Sequence, residues 1–240
     1  MREKLFRIFV RLARILLFGF EGSRKKVLSP PPHIANSLDS LISAHFARFS
    51  SPTHVNRVGL TLALRQLERR PALILETGSS AWGTNSSLLF DAYVREFGGI
   101  FLTVDIREEP ASYLRPKLSE HSYAFVGDSI QFLKEFELPA EFSCISLAYL
   151  DSYDVDLEDP EPAMQHGLSE FHAVHPFLDT GSVLVVDDTP IEFSLFGDQA
   201  RNNFRDDEVV PGKGTLILRS PLITQYDVVY HHYNLVLKKK

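Results

Sequence analysis

The chain has 240 residues, 44% of them hydrophobic, a net charge of −6 and one cysteine, Cys144. This length and apolar content are sufficient for one globular domain with a full core, and they exclude a disordered tail or a fibre. A single cysteine excludes a disulfide framework and a cysteine-built zinc site, so the composition favours a cytoplasmic protein.

The charge is divided between a basic leader and an acidic body. Residues 1–26 carry eight Lys or Arg against two Glu, a net +6, which leaves −12 on residues 27–240. Within residues 1–20, basic residues recur every three or four positions opposite an apolar stripe, which predicts an amphipathic helix. Its longest uncharged run, residues 15–20, is far shorter than the ~20 residues that span a bilayer. We weigh two uses of its apolar face equally: lying on an anionic membrane surface, at the inner membrane face, or packing on the protein body or another subunit of a homo-oligomer.

Strands and helices alternate along most of the remaining chain. Three consecutive prolines within residues 21–33 predict a linker, because they cannot continue a helix. Apolar residues at helical spacing then predict two helices before the first strand. Apolar runs separated by segments of helix length predict five strands: Ala72 to Glu76, Ile100 to Asp105, Tyr123 to Val126, Cys144 to Leu150 and Ser182 to Val186.

This alternation predicts an α/β fold with a doubly wound, mostly parallel sheet that helices cover on both faces. The C-terminal part, from GTLILRS onward, reads as strands without a helix between them. We therefore expect an antiparallel addition at one edge of the sheet.

Acidic residues stand at or beside the end of each predicted strand. They are Glu76, Asp105, Asp128, Asp151 and the pair Asp187–Asp188. Ligands of parallel sheets bind beyond the carboxyl ends of the strands. Any one of these acids is equally consistent with a turn former or a helix cap, but five strand ends in succession favour a functional site.

The segment ILETGSSAWGTNSS, residues 74–87, follows the first predicted strand. Gly78, Ser80 and Gly83 have the spacing of a dinucleotide fingerprint, but Ser80 replaces the middle glycine that lets the backbone approach a pyrophosphate. Glu76 would repel a phosphate, whereas it suits a ligand with an ammonium or sulfonium group. A nicotinamide-dependent oxidoreductase is therefore our weaker alternative.

Three segments together resemble the motifs of class I S-adenosylmethionine-dependent methyltransferases: ILETGSSAWGTNSS, FLTVDI and FVGDSIQFL. The resemblance implies a Rossmann-like, seven-stranded fold, ribose recognition by Asp105 and an adenine-side contact from Asp128. The cofactor-binding residues that it implies are Glu76, Gly78, Ser79, Ser80, Gly83, Asn85, Ser86, Asp105 and Asp128. For Asn85 and Ser86, capping of the following helix is the favoured alternative to direct contact. A glycine is common in the family where Ser80 stands.

A second group of acids lies in YLDSYDVD and VLVVDDTP, at the ends of predicted strands four and five. Neighbouring strand ends lie ~5 Å apart, so Asp151, Asp187 and Asp188 can converge. Converging carboxylates repel unless a cation joins them, and oxygen ligands suit Mg²⁺ or another hard divalent ion. The arrangement resembles metal-dependent O-methyltransferases of the macrocin and catechol type, in which such acids hold magnesium. Alternatively, Asp187 and Asp188 only shape the turn before Pro190.

For catalysis we expect Asp151, with Asp154 as a base or outer ligand, and His166 on a predicted helix over residues 161–178. Residues 189–214 mix Phe and Arg in a long connection that is a candidate acceptor lid, and its GKG sequence around Lys213 is a weak indication of a hinge or anion site.

The sequence thus predicts a metal-assisted S-adenosylmethionine-dependent O-methyltransferase for a small-molecule acceptor, a sugar or other polyol, with no nucleic-acid partner. A third hypothesis is a membrane-associated binding module on a methyltransferase fold that does not catalyse. We divide the chain into a basic helix with the start of the linker (1–26), linker and N-terminal helices (27–71) and a catalytic domain (72–240).

Overall fold

The computed structural model describes residues 37–79, 83–197 and 210–240. The described helices are α1 Leu38–Arg48, α2 Arg57–Gln66, α3 Ser86–Phe97, α4 Glu108–Leu114, α5 Ser129–Lys134 and α6 Glu161–Val174. The strands are β1 Ala72–Thr77, β2 Gly99–Asp105, β3 Ser122–Val126, β4 Leu147–Leu150, β5 Val183–Val186, β6 Tyr226–His231 and β7 Leu235–Lys239. The predicted leader helix, with its use at a membrane or subunit interface, lies outside the described residues. So do Ser80 and residues 198–209 of the candidate lid.

The seven strands form one sheet in the order β3-β2-β1-β4-β5-β7-β6. The first five are parallel, β7 runs antiparallel to β5, and β6 runs antiparallel to β7. This confirms the predicted doubly wound sheet with an antiparallel C-terminal edge. Strands β2 and β3 lie on one side of β1, and strands β4 and β5 lie on the other, so the strand order reverses at β1. The ligand crevice of such a sheet lies beyond the carboxyl end of the strand where the order reverses.

The core has two layers, one on each face of the sheet. Alternate residues of β1 point to opposite faces, because the side-chain period of a strand is two. Ile74 packs in one cluster with residues of α1, α2 and α3, whereas Leu73 and Leu75 pack in the other with residues of α6. Helices α1 and α2 therefore share a core cluster with β1, and the division of the chain at residue 72 stays a prediction.

Two element predictions need correction. Residues 214–220, read as a strand, form turns in which Leu218 N–H donates to the Gly214 carbonyl (3.0 Å). Short apolar runs do not distinguish a strand from helical turns. The predicted helix over residues 161–178 ends at Val174 and continues as a 3₁₀ turn, His175–Phe177, because Pro176 cannot donate within an α-helix.

None of the described helices is long and apolar enough to cross a bilayer.

Candidate active site

The turn after β1 packs directly against the loop after β4. Gly78 has φ 78°, and a Cβ atom on it would lie 2.1 Å from the Asp151 carbonyl oxygen. The Asp151 N–H donates to the Thr77 carbonyl at 2.9 Å, which fixes the two strand ends side by side. Only glycine fits both this backbone conformation and the narrow space beside the Asp151 carbonyl. The close approach of two strand ends therefore explains why a glycine occupies position 78.

Asp105 ends β2 beside this turn, and both oxygens of its carboxylate accept hydrogen bonds. Its Oδ2 accepts from the Ser79 N–H (3.0 Å) and its Oδ1 from the Arg107 N–H (2.8 Å). The Arg107 guanidinium completes an ion pair with Oδ2 at 2.9 Å and is 63% exposed. Burial acts to raise the pKa of Asp105, but these donors outweigh it and hold the pKa below its ordinary value. Asp105 is therefore a charged acceptor whose cationic partner lies at the surface.

Glu76 is fully buried and does not face the crevice. Its Oε1 accepts from Ser86 Oγ (2.6 Å), and its Oε2 accepts from Ser87 Oγ (2.5 Å) and Thr103 Oγ1 (2.6 Å). The carboxyl group thus ties β1 to β2 and to the start of α3. These contacts do not support our interpretation of Glu76 and Ser86 as direct partners of a cationic ligand.

Burial raises the pKa of Glu76 from its ordinary value of 4.5 to about 7, although three hydroxyl donors oppose the shift. Between these values the folded protein retains a proton that the unfolded chain has lost, so the group's contribution to stability falls as pH rises from 4.5 through 7. Gln cannot ionise. We expect the free energy of unfolding of Glu76→Gln, relative to that of the wild type, to rise by up to about 3 kcal/mol between pH 5 and pH 8. Chemical denaturation at both pH values measures this difference.

Glu108→Gln is the control for that measurement. Glu108 is exposed, and hydrogen bonds from Ser112 and Arg115 lower its pKa. Its contribution to stability is lost only as pH falls below the ordinary range of a Glu, so the variant should show no comparable trend between pH 5 and 8. An equal effect of Glu76→Gln at both pH values would show that Glu76 is charged throughout in the folded protein.

The segment over residues 83–85, after β1, contacts α1 and the connection between α1 and α2. Ser50 Oγ donates to the Gly83 carbonyl at 2.5 Å, and Asn85 Nδ2 donates to the Phe49 carbonyl at 2.5 Å. His45 Nε2 lies 2.8 Å from the Thr84 carbonyl oxygen. Asn85 occupies the position before α3 without capping it through its side chain. Its predicted cap is therefore replaced by a contact to the residue that follows α1, and its cofactor contact stays a prediction.

Asp128 caps a helix at the end of β3. Its Oδ1 accepts from the Gln131 N–H at 2.8 Å, and the residue is exposed at the same edge of the sheet as Asp105. Its adenine-side role stays a prediction, and the cap is a structural role that the sequence also allowed.

Of the three acids after β4 and β5, Asp151 and Asp188 converge, but around a lysine. Lys213 Nζ lies 2.5 Å from Asp151 Oδ1 and 3.0 Å from Asp188 Oδ2, and the lysine side chain is 2% exposed. Burial lowers the pKa of Lys213, but the neighbouring carboxylates, Asp151 first, outweigh burial and hold it above its ordinary value. The ammonium is therefore charged. The sequence offered only the GKG pattern as a signal for it.

Asp187 faces the interior of the protein. Its Oδ2 accepts from Tyr149 Oη (2.7 Å) and from Asn56 Nδ2 (2.8 Å). Its Oδ1 is buried and has no hydrogen-bond partner within the described ranges. Burial and the like charge of Asp188 raise the pKa of Asp187 to about 6. The side chain thus joins β4, β5 and the start of α2.

These contacts do not fit the predicted magnesium site. Asp151 and Asp188 face an ammonium, and Asp187 accepts from a hydroxyl and an amide. Across residues 37–79, 83–197 and 210–240, no three His, Cys, Asp or Glu side chains are arranged to hold a metal ion. The three-carboxylate ligand set therefore does not form in this arrangement, because an internal cation lies between two of its members.

The expected catalytic residues lie in different surroundings. His166 Nε2 lies 2.7 Å from Ser152 Oγ, which donates to Glu170 Oε1 at 2.7 Å, so His166 is connected to the residue after Asp151. Asp154 is exposed in the same loop. Sequence reasoning missed Ser152 and Glu170, although the spacing of His166 and Glu170 by one helical turn is a usable signal.

The strand order, the glycine turn after β1 and the acid that ends β2 define the fold of class I S-adenosylmethionine-dependent methyltransferases. No family model and no curated protein matches the chain.

Among solved structures with this fold is the MycE methyltransferase from the mycinamycin biosynthetic pathway in complex with Mg, SAH and mycinamycin VI, with a TM-score of 0.57 and 14% identity over 84% of this chain and 53% of MycE. The chain thus spans about half the length of MycE. The SAH-bound Podospora anserina methyltransferase PaMTH1 has a TM-score of 0.51 at 13% identity, over 86% and 89% of the two chains. The Bacillus cereus O-methyltransferase in complex with SAH has a TM-score of 0.50 at 16% identity, over 84% and 90%. These likenesses confirm the predicted fold and give no support to the oxidoreductase alternative.

Proposed function

We propose that the chain is an S-adenosylmethionine-dependent O-methyltransferase that acts on a hydroxyl group of a small-molecule acceptor, with a sugar or other polyol as the acceptor class. One observation carries this proposal: the charged carboxylate of Asp105 ends β2 beside the Gly78 turn, at the crevice where the strand order reverses. A carboxylate at that point is suited to accept from the two hydroxyls of a ribose. The SAH-bound structures that share the fold support the same ligand class.

The residues around the turn fit such a cofactor. Arg107 covers Asp105 from the solvent side, and its exposed guanidinium can leave when ribose hydroxyls take its place. Gly78 keeps the turn free of side chain beside the crevice, and the neighbouring Thr77 Oγ1 is buried without a partner in the part of the chain that the structure describes. When bound, S-adenosylmethionine supplies a methyl group that is transferred from its sulfur to the acceptor oxygen.

Methylation of a hydroxyl also requires a group that takes its proton. Asp151 follows β4 directly, and its backbone packs against the turn at Gly78. Burial raises the pKa of Asp151 well above its ordinary value, and the Lys213 ammonium opposes this shift through an ion pair. We therefore assign Asp151 as the candidate base. His166 is the second candidate, because it is linked to the adjacent residue Ser152.

Calorimetric titration with S-adenosylhomocysteine tests the cofactor assignment. We expect the wild type to bind and Asp105→Asn to weaken binding by about 10- to 100-fold, because hydrogen bonds to a charged acceptor contribute ~1.5–3 kcal/mol. Asp227→Asn is the control, since Asp227 is an exposed acid on the edge strand β6 and pairs only at the surface with Lys240 (3.5 Å).

Equal affinity of the Asp105 and Asp227 variants would contradict the ribose assignment. A titration with NADH in the same buffer tests the oxidoreductase alternative, and we expect no binding. Binding of S-adenosylhomocysteine without methyl transfer to any member of a broad hydroxyl acceptor panel would favour the non-catalytic hypothesis instead.

A further inference from the structure

Lys213 is a buried cation whose charge is matched by the acids of two strand ends. Its Nζ contacts Asp151 Oδ1 after β4 and Asp188 Oδ2 after β5, at 2.5 and 3.0 Å. With the lysine side chain 2% exposed and Asp151 10% exposed, solvent screens this contact little. The contact to Asp151 is a charge-assisted hydrogen bond, which is stronger than a bond between neutral groups, and the contact to Asp188 is an ion pair.

The backbone holds Lys213 in this position from two sides. The Lys213 N–H donates to the Asp188 carbonyl at 3.0 Å. A Cβ atom on the preceding residue, Gly212, would lie 2.5 Å from that same carbonyl oxygen, and one on Gly167 of α6 would lie 2.5 Å from the Lys213 carbonyl oxygen. The close approach of these segments requires glycine. Backbone packing therefore fixes the position of Lys213 beside the acids, so its buried location does not depend on its side chain alone.

Two further oxygens of the acidic group are engaged by the protein, whereas Asp187 Oδ1 has no hydrogen-bond partner among the described residues. Asp188 Oδ1 accepts from Tyr233 Oη at 2.6 Å, and Asp187 Oδ2 accepts from Tyr149 and Asn56. A divalent ion bound between Asp151 and Asp188 would stand next to an ammonium of like charge, which opposes its binding. Such an ion would have to displace Lys213 from a buried, doubly paired position.

We propose that Lys213 is the resident cation of this site and takes the place of a divalent metal ion between Asp151 and Asp188. This inference deepens the proposed function, on which it rests for the identity of the reaction, and it means that methyl transfer by this chain needs no metal. A single fixed positive charge, rather than an exchangeable ion, keeps the two acidic strand ends together beside the cofactor turn.

Metal binding to the full-length chain, stripped with EDTA, tests the inference independently of turnover. We expect no stoichiometric binding of Mn²⁺ to the wild type by calorimetry or electron paramagnetic resonance, and no change of melting temperature with EDTA or Mn²⁺. Lys213→Met keeps the length of the side chain and removes its charge. It should lower the melting temperature and raise the affinity for Mn²⁺ by at least about tenfold, because the ammonium no longer opposes the ion. Added Mn²⁺ should then restore part of the lost melting temperature.

Two further lysine variants complete the design. Lys213→Arg retains a positive charge and should not acquire Mn²⁺ binding. Lys238→Met removes a lysine of β7 that contacts Gln66 Oε1 at 3.0 Å, away from the acids, and should leave the metal response unchanged. If Lys213→Met does not fold, the wild-type and Lys213→Arg titrations still decide the question.

Binding of one Mn²⁺ to the wild type that is lost in Asp151→Asn and Asp188→Asn would overturn the inference, as would loss of methyl transfer in EDTA with recovery in Mg²⁺. The same samples titrated with S-adenosylhomocysteine report on the proposed function separately. Failure to bind that ligand contradicts the methyltransferase assignment, whereas metal binding by a protein that still binds it contradicts only the role of Lys213.

Discussion

Gly78→Ala is expected to lose at least about 3 kcal/mol of unfolding free energy and to abolish S-adenosylhomocysteine binding. The substituted Cβ would lie 2.1 Å from the Asp151 carbonyl oxygen, a backbone atom, so the β1 turn and the loop after β4 must separate. Left-handed backbone at φ 78° adds a cost of ~1–2 kcal/mol for any L-residue with a Cβ. Denaturant unfolding and calorimetry on the same preparation measure the two effects.

Gly181→Ala separates the two causes. Gly181 also has a positive φ, 90°, but a Cβ on it would meet nothing within 4 Å. This variant should therefore show only the backbone cost, about 1 kcal/mol, with unchanged ligand affinity. If Gly78→Ala is no more destabilising than Gly181→Ala, the turn and the loop are not in close contact, and the geometry of the crevice given above is wrong.

Asp187→Ala is expected to lower the unfolding free energy by about 2–4 kcal/mol. The variant leaves Tyr149 Oη and Asn56 Nδ2 without their shared acceptor, and each unsatisfied buried donor costs ~1–3 kcal/mol. Relief of the repulsion between Asp187 and Asp188 offsets part of this loss. Urea unfolding at constant pH measures the difference.

Asp187→Asn retains an oxygen acceptor and should recover most of the stability lost in Asp187→Ala. Chelation with EDTA should change the stability of neither variant. Unchanged stability of Asp187→Ala together with a chelator-sensitive wild type would instead return Asp187 to the role of metal ligand that its position in the sequence predicts.

The placement of acids at the carboxyl ends of the strands could be predicted because buried parallel strands are strongly patterned. An apolar run followed by an acid fixes which residue leaves the sheet, and the alternation with helices fixes the common edge. For this reason Asp105 and Asp151 were expected where the structure has them. The direction of a side chain at a strand end depends on partners that other segments supply, and these are not visible locally.

Glu76 and Lys213 are two residues whose contacts could not be predicted from the neighbouring sequence. The hydroxyls that donate to the Glu76 carboxyl group come from α3 and β2. An acid beside a glycine turn, which the sequence predicts as a ligand contact, therefore connects elements within the protein. Lys213 is 62 residues from Asp151 along the chain, and no spacing rule connects them. In GKG, however, two glycines flank a charge, and such a pattern indicates close backbone packing around the charged residue as well as a hinge.

Helix α1 contacts the segment after β1 through His45, and the connection between α1 and α2 contacts it through Ser50. The same connection contacts Asp187, the acid after β5, through Asn56, which lies 131 residues from Asp187 along the chain. A substitution at either member of such a contact leaves the other without its partner, so selection acts on the pair. Relatives of this chain should therefore change positions 56 and 187 together, and positions 45 and 50 together with the length of the segment over residues 83–85. The N-terminal helices should therefore not be exchangeable among relatives as an independent module. In a chimera joined at residue 72, the N-terminal helices of one relative would face the β1 turn of another, and the contacts between them would not match.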